Sequence, residues 1–219
     1  MTKSLTLFLS IGLLLYGTAS FQPVGAGTQL TPAEVLEQLQ AKAETLRNLQ
    51  GNFQQRKFSR LLINAVESAG KFSWQPPDRL RWEVVRPAPL TLVARNDKLL
   101  LIYPDLKKAS LYRRPSGGGL LNRITGVTSD PEAFQRQYDI EVQLLSQGGS
   151  GRWIKMTMEP KSARQKRFFK RLEVKIDPKT WLPNEIAILE AKKDWTVISL
   201  SNLVENSEIP KDLFRVEPP

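Results

Sequence analysis

The residues best placed to do chemistry in this 219-residue chain are large apolar side chains that alternate with polar ones around a double proline. The stretch is KFSWQPPDRLRWEV, residues 71–84, in which Pro76-Pro77-Asp78 predicts a turn between two strands. Side chains two residues apart in a strand lie on the same face of a sheet. The residues that share a face by this spacing are Phe72, Trp74, Leu80, Trp82 and Val84. The chemistry available to such a face is contact with hydrocarbon.

The same alternation recurs in later segments, and it has two interpretations. These residues either fill a solid core against a helix or border an apolar cavity. A curved sheet of many strands encloses more space than one medium-length helix fills, and methionines two residues apart supply adaptable side chains. We therefore expect a cavity beneath a movable lid. Its candidate lining residues are Phe72, Trp74, Leu80, Trp82, Val84, Leu92, Leu101, Met156, Met158, Leu172, Val174, Ile186 and Ile188.

Catalysis has little support in the residue types. The chain contains no histidine and no cysteine, so the commonest general base and the commonest zinc ligands are missing. Glu83 and Asp105 could form a catalytic carboxylate pair, but the sequence does not place them near each other. No Gly-x-Ser-x-Gly motif is present. We expect a protein that is not an enzyme and that needs no cofactor or metal. An enzyme acting on lipids or glycans is the alternative from another class.

Basic residues exceed acidic ones by ten, which indicates a polyanionic partner. The densest cationic group flanks Phe168 and Phe169 and consists of Lys161, Arg164, Lys166, Arg167, Lys170 and Arg171. It is either a solvated loop or a surface that docks on an acidic partner or on anionic head groups. The candidate docking residues in it are Lys166, Arg167, Lys170 and Arg171. Nucleic acid is not expected, because no basic run is interleaved with stacking aromatic residues.

The first residues are typical of a secretory signal peptide. Lys3 precedes an apolar run at 5–16 that is too short to span a bilayer, and small residues follow it. Val24 and Ala26 fit the small-x-small rule, which predicts a signal peptide at 1–26 and one domain at 27–219. Cleavage near Ala19 or an uncleaved anchor helix are the alternatives. Without cysteine the mature chain carries no N-terminal lipid, so we expect an unanchored monomer outside the cytoplasm.

The elements that must position these residues can be predicted from periodicity. Thr31-Pro32-Ala33-Glu34 is a capping box that begins a helix. The apolar stripe of this helix continues to Leu49, and Gly51 is predicted to end it. A second, short helix is predicted from Ser129-Asp130-Pro131-Glu132 to about Tyr138, and a short helix or turn at 120–124. Strands are predicted at 52–58, 71–75, 79–85, 90–95, 98–103, 108–112, 140–145, 153–158, 168–176, 184–190 and 195–200. The fold class is therefore α+β and mainly β, with a single strongly curved antiparallel sheet covered by helices.

Two long segments resemble the periplasmic outer-membrane lipoprotein carrier proteins. One is GKFSWQPPDRLRWEVVRPAPLTLVARNDKLLLIYPDLKKASLY, residues 70–112, and the other is residues 169–219. The positions that stand in the family's register are Pro77, Trp82, Pro87, Asp105, Asn202, Asn206, Ile209, Pro210 and Phe214. The resemblance implies an incomplete β-barrel, with the N-terminal helix and short helices as a lid over a hydrophobic cavity that holds the acyl chains of a lipoprotein in the periplasm.

The resemblance also implies partners. These are an acylated lipoprotein or lipid cargo, an inner-membrane ABC-type release complex or lipid exporter, and an outer-membrane receptor. A carrier of another glycolipid or polyene lipid is one alternative, and an envelope interaction module with a filled core is another. Leu80 occupies the apolar position that the family uses to dock on the release complex. The family's lid-latching arginine is replaced by Pro76, so either Arg79 or Arg81 latches the lid or the lid opens more freely.

Overall fold

A computed structural model describes residues 30–60, 63–113, 130–147 and 151–217. Its strands are β1 (Leu49–Phe58), β2 (Val66–Gln75), β3 (Arg79–Arg86), β4 (Leu90–Arg95), β5 (Lys98–Tyr103), β6 (Lys108–Arg113), β7 (Tyr138–Gln147), β8 (Gly151–Pro160), β9 (Phe169–Ile176), β10 (Pro183–Glu190) and β11 (Trp195–Glu205). Its helices are α1 (Pro32–Thr45), α2 (Pro131–Gln137) and α3 (Ala163–Lys166), with a 3-10 turn at Pro104–Leu106. Every predicted strand is present, and β2, β7, β8 and β11 extend well beyond their predicted limits. The predicted signal peptide and the segment 120–124 lie outside the described residues.

The strands form one antiparallel sheet in the order β6-β5-β4-β3-β2-β1-β11-β10-β9-β8-β7. Pairing of β1 with β11 joins the two halves of the strand sequence into a continuous ladder. Within the described residues no ladder joins β6 to β7, so the curved sheet is not closed into a barrel. The predicted fold class is confirmed.

Helix α1 begins as predicted and ends earlier than predicted. The Thr31 hydroxyl accepts from the Glu34 backbone N–H at 3.3 Å, and the Glu34 carboxylate accepts from the Thr31 backbone N–H at 2.7 Å. The helix ends at Thr45, because Leu46 already has an extended backbone. Gly51 does not end the helix. It lies within β1, where a Cβ would approach Leu203, the Ser201 carbonyl and Phe72 to between 2.8 and 3.0 Å.

The sheet has a core on each face. The larger core lies between the inner face and the helices, and it includes Val35, Leu36 and Leu39 of α1. The smaller core lies on the outer face, where Phe214 and Val216 of the C-terminal segment pack on Val93 and Leu100. Among the described residues, none of the helices has both the length and the hydropathy that a membrane-spanning helix needs.

Candidate functional site

Strand pairing brings the predicted apolar residues together on the inner face. Phe72 lies opposite Trp82, and Trp82 lies opposite Leu92 on the next strand. In the other half of the sheet, Met156 lies opposite Val174, which in turn lies opposite Ile186. Residues that pair directly across antiparallel strands point to the same face. All thirteen candidate cavity residues therefore share the inner face of one sheet.

Burial divides these residues into two groups. Those that are at most 6% exposed are Phe72, Trp74, Met156, Met158, Leu172, Val174 and Ile186. Those that are half-buried are Leu80, Trp82, Val84, Leu92, Leu101 and Ile188. We call the five half-buried residues on β3, β4 and β5 the open strip: Leu80, Trp82, Val84, Leu92 and Leu101. The side chains of the open strip are therefore partly exposed while the other group is buried.

The buried group lies under helices α1 and α2. Val35, Leu36 and Leu39 are completely buried in the same core as the sheet residues. Phe134 of α2 packs on Tyr138 with 4.8 Å between ring centroids, and Tyr138 stacks on Phe169 at 6.4 Å. The helices therefore share one core with the buried residues of β2 and of β8–β10.

Phe53 and Gly70 belong to the site and were not among the predicted residues. The Phe53 ring stacks on Trp82, with centroids 3.8 Å apart and an interplanar angle of 23°. Gly70 lies directly opposite Phe53 on the strand between them. A Cβ at Gly70 would come within 2.9 Å of the Phe53 ring and 1.7 Å of the Glu83 carbonyl oxygen. A strand glycine beside an aromatic residue on the neighbouring strand is the sequence signal of such a close approach.

The two arginines predicted as substitutes for the lid latch lie on the other face. Arg81 lies opposite Val93 of the outer core, and its Nη1 donates to the Leu213 carbonyl at 3.4 Å. Arg79, two residues away on the same face, donates to the Gln75 side chain at 3.2 Å. Neither side chain reaches the inner face, because alternation along β3 directs both of them away from Trp82.

Helix α1 is instead held at its C-terminal end by polar contacts with the end of β11. Lys42 forms an ion pair with Glu205. The Asn206 side chain accepts from the Arg47 backbone N–H at 2.7 Å and donates to the Thr45 carbonyl at 3.1 Å. These contacts satisfy groups that the last turn of the helix leaves open, and they fix where α1 lies on the sheet.

The predicted docking residues do not form a uniform group. Lys166, Arg167 and Lys170 are exposed. Arg171 instead pairs with Glu159 at 2.8 Å and Glu173 at 3.9 Å, and the hydrogen bond that it donates to the Glu159 carboxylate raises the pKa of its guanidinium. Arg171 is therefore bound into the outer face of the sheet.

The carboxylates considered for catalysis are not arranged as a catalytic pair. Glu83 accepts a hydrogen bond from Arg81 on the outer face, while Asp105 is exposed in the 3-10 turn. Among the residues that the structure describes, no group of three or more acidic residues is placed to hold a metal ion.

Comparison with known families and proteins gives a consistent result. The family model described as outer membrane lipoprotein carrier protein LolA matches residues 44–217. An outer-membrane lipoprotein carrier protein of Xanthomonas campestris pv. campestris (strain B100) is 25% identical over 182 residues, which cover 83% of both chains. The carrier of Legionella pneumophila (strain Corby) is 24% identical over 195 residues, covering 86% of this chain and 87% of the relative.

Solved structures share the fold at lower identity. A conserved protein from Thermus thermophilus superposes with a TM-score of 0.55 and 11% identity, covering 85% of this chain and 93% of that one. A chain of the MucA/MucB complex from Pseudomonas aeruginosa superposes with a TM-score of 0.51 and 14% identity. That match covers 85% of this chain and 61% of the other.

Proposed function

The chain belongs to the outer membrane lipoprotein carrier family, a family that binds and transports rather than catalyses, and from this premise we propose a specific carrier role. The protein shields the acyl chains of lipoproteins while they cross the periplasm from the inner to the outer membrane. Its cargo comes from an inner-membrane ABC-type release complex and passes to an outer-membrane receptor. Relatives that match this chain over most of their length are named outer-membrane lipoprotein carrier proteins, which supports the lipoprotein as cargo.

The observation that carries the proposal is the open strip on the inner face of an unclosed sheet. Burying each methylene group is worth about 0.8 kcal/mol, so an acyl chain of about sixteen carbons costs roughly 12 kcal/mol to expose to water. A surface of leucine, valine and tryptophan offers this chain a place to lie without polar contacts that would slow its release. The open strip therefore suits a cargo that the protein must first bind and later release.

We assign the two burial groups different parts in binding. The open strip makes the first contact with an acyl chain, because its side chains are already accessible. The fully buried residues on β2 and β8–β10 become available only when α1 moves off the sheet. Trp74 has a buried indole N–H without a hydrogen-bond partner among the described residues, so this core can gain a contact on opening. The polar contacts of Lys42 and Asn206 then resist that movement in place of the family's arginine.

A second candidate is a carrier of another lipid, such as a glycolipid or polyene lipid, that works with an inner-membrane lipid exporter. The outer-face positions of Arg79 and Arg81 favour it, because this chain lacks both the latch of the family and a substitute from β3. A lid latched differently is expected in a branch that carries a different cargo.

Native mass spectrometry of the exported protein, purified without detergent, tests both candidates. A lipoprotein-carrier role predicts bound lipoprotein of protein mass, and the second candidate predicts free lipid. A displacement assay with a fluorescent fatty acid measures the binding site itself. Absence of bound acyl material in the first measurement and of probe binding in the second would rule out a carrier of either kind.

A further inference from the structure

Three loops lie side by side at the edge of the sheet where β1 ends and β9 begins. Asp194, in the turn between β10 and β11, accepts hydrogen bonds from the Ser59 hydroxyl at 3.2 Å and from the Arg60 backbone N–H at 3.3 Å. The backbone N–H of Ala191, in the same turn, donates to the Phe168 carbonyl at 3.2 Å. The turn at 191–194 therefore joins the loop after β1 to the loop that contains α3.

These loops present a concentrated positive charge. The cations at this edge are Arg60, Arg164, Lys166, Arg167, Lys170, Lys192 and Lys193, all of them exposed. Within the part of the chain that the structure describes, none of the seven has a carboxylate oxygen within 4 Å. Cations on the neighbouring outer face differ, since Lys155 pairs with Glu173 at 3.0 Å and Lys175 with Glu185 at 2.6 Å. The seven positive charges at this edge therefore exceed the single negative charge that Asp194 supplies among the three loops.

Two large apolar side chains are exposed on these loops. Phe168 is 72% exposed and Ile63 is fully exposed. The next residue after Phe168 holds the loop in position, because Phe169 stacks on Tyr138 in the core. We call this combination of seven cations with Ile63 and Phe168 the basic rim.

The composition of the basic rim distinguishes between two classes of polyanion. An acidic protein surface would complement the cations, but it would also need apolar pockets matched in position to Phe168 and Ile63. A membrane interface accommodates both, because apolar side chains insert at the acyl boundary while cations contact anionic head groups. The basic rim combines these two signals on neighbouring loops.

We propose that the basic rim docks this protein on anionic phospholipid membrane surfaces, with Phe168 and Ile63 inserted between the head groups. The proposal rests on the carrier role, since docking places the unclosed sheet beside the membrane from which cargo is taken or to which it is delivered. Docking is reversible, because two apolar side chains and a set of surface charges fall far short of an anchor.

Vesicle co-sedimentation of the exported protein tests the proposal. Wild-type protein is expected to bind vesicles of phosphatidylglycerol and phosphatidylcholine at 50 mM NaCl, to bind pure phosphatidylcholine vesicles much more weakly, and to dissociate at 500 mM NaCl. Phe168→Ser is expected to weaken binding about tenfold. The double charge reversal Lys166→Glu/Arg167→Glu is expected to weaken it by on the order of tenfold or more.

Matched variants control for loss of an apolar surface residue and for change of net charge. Leu106→Ser removes an apolar side chain that is 70% exposed in the 3-10 turn. Lys179→Glu/Lys211→Glu reverses two exposed cations outside the basic rim. Apart from the effect of the changed net charge, both control variants are expected to bind vesicles with an affinity within about twofold of that of wild type.

Two outcomes overturn the proposal. One is wild-type binding that does not distinguish anionic from zwitterionic vesicles. The other is equal loss in the basic-rim variants and in their controls, and an acidic protein partner would then be the remaining explanation of the charge. Binding of a fluorescent fatty acid is measured on every variant. If the protein binds the fatty acid but not vesicles, membrane docking is refuted and the carrier role is not. If the protein does not bind the fatty acid, the carrier role is refuted.

Discussion

The Phe53 ring lies flat on the Trp82 indole, 3.8 Å between centroids, although the two residues are on strands separated by β2. The contact exists because Gly70, the residue of β2 that lies between them, has no side chain. Trp82 belongs to the open strip and Phe53 is 1% exposed. The stack therefore joins the accessible part of the inner face to the buried core.

A double-mutant cycle on this stack is expected to show direct coupling. Phe53→Leu and Trp82→Leu each remove one ring, and the coupling free energy of unfolding between them should be about 0.5–1.5 kcal/mol. Phe53→Leu combined with Phe214→Leu serves as the control, since Phe214 packs on the opposite face of the sheet. That pair should be additive within about 0.5 kcal/mol by urea denaturation. Equal coupling in both cycles would mean that the stack makes no specific contribution.

Gly70→Ala is expected to destabilise the fold severely. The added Cβ would lie 1.7 Å from the Glu83 carbonyl oxygen, which is backbone and moves only if β3 moves. Overpacking of this kind costs about 3 kcal/mol or more. Ser68→Ala, two residues earlier on the same face of β2, is the control and should change the free energy of unfolding little. A Gly70→Ala protein with near wild-type stability would show that the strand spacing at this point is not constrained.

The strands could be predicted from sequence because their period-two patterns are local. The turns at Pro76-Pro77-Asp78 and Asn96-Asp97 could also be predicted from the sequence, because the backbone preferences of these residue types favour turns. Gly51 misled the prediction of the helix end. A glycine is used both after helices and where backbones approach closely, and only the packing of Leu203 against Gly51 separates the two cases.

The two faces of the sheet were harder to predict than the strands. Alternation along β3 placed the Arg81 and Trp82 side chains on opposite faces of the sheet. Which segment packs on each face is determined by residues far away in the sequence. The C-terminal residue Phe214 packs on the outer face with Val93, so Arg81 lies under that segment and not beside a lid. Likewise, spacing alone does not separate Met156, which α1 helps to bury, from Leu101, which is half-buried.

The division of the inner face predicts opposite effects for two substitutions. Leu101→Gln changes the open strip, so it should weaken binding of a fluorescent fatty acid severalfold with a small change in the free energy of unfolding. Met156→Ala removes a completely buried side chain, so it should cost about 2–5 kcal/mol of stability. Probe binding by the folded fraction of Met156→Ala should stay near wild type. Probe titration and urea denaturation of both variants measure this, and the reverse pattern would move the binding site into the buried group.

Asn206→Ala is expected to loosen the attachment of α1. Its side chain bonds the Arg47 N–H and the Thr45 carbonyl, and its backbone is left-handed with φ of 54°. Asn202 is a matched control because its φ is 52° and no side-chain hydrogen bond is found for it within the described residues. Asn206→Ala should therefore cost about 1–3 kcal/mol more than Asn202→Ala by urea denaturation. Equal losses would assign the whole effect to backbone conformation.

Acid titration of Glu34 tests the start of α1. The backbone N–H of Thr31, and after it the Thr31 hydroxyl, holds the pKa of the Glu34 carboxyl below its usual 4.5. A lowered folded-state pKa means that this group stabilises the fold above the unfolded pKa, and that the stabilisation is lost as pH falls through the folded value. Glu34→Gln should remove this part of the acid sensitivity. In carboxyl-detected NMR titrations, Thr31→Ala should raise the Glu34 pKa only partway towards 4.5, because the backbone donor remains, while Thr31→Ser should leave it low. A full return to 4.5 in Thr31→Ala would contradict the leading role of the backbone N–H and show that the hydroxyl alone closes the capping box.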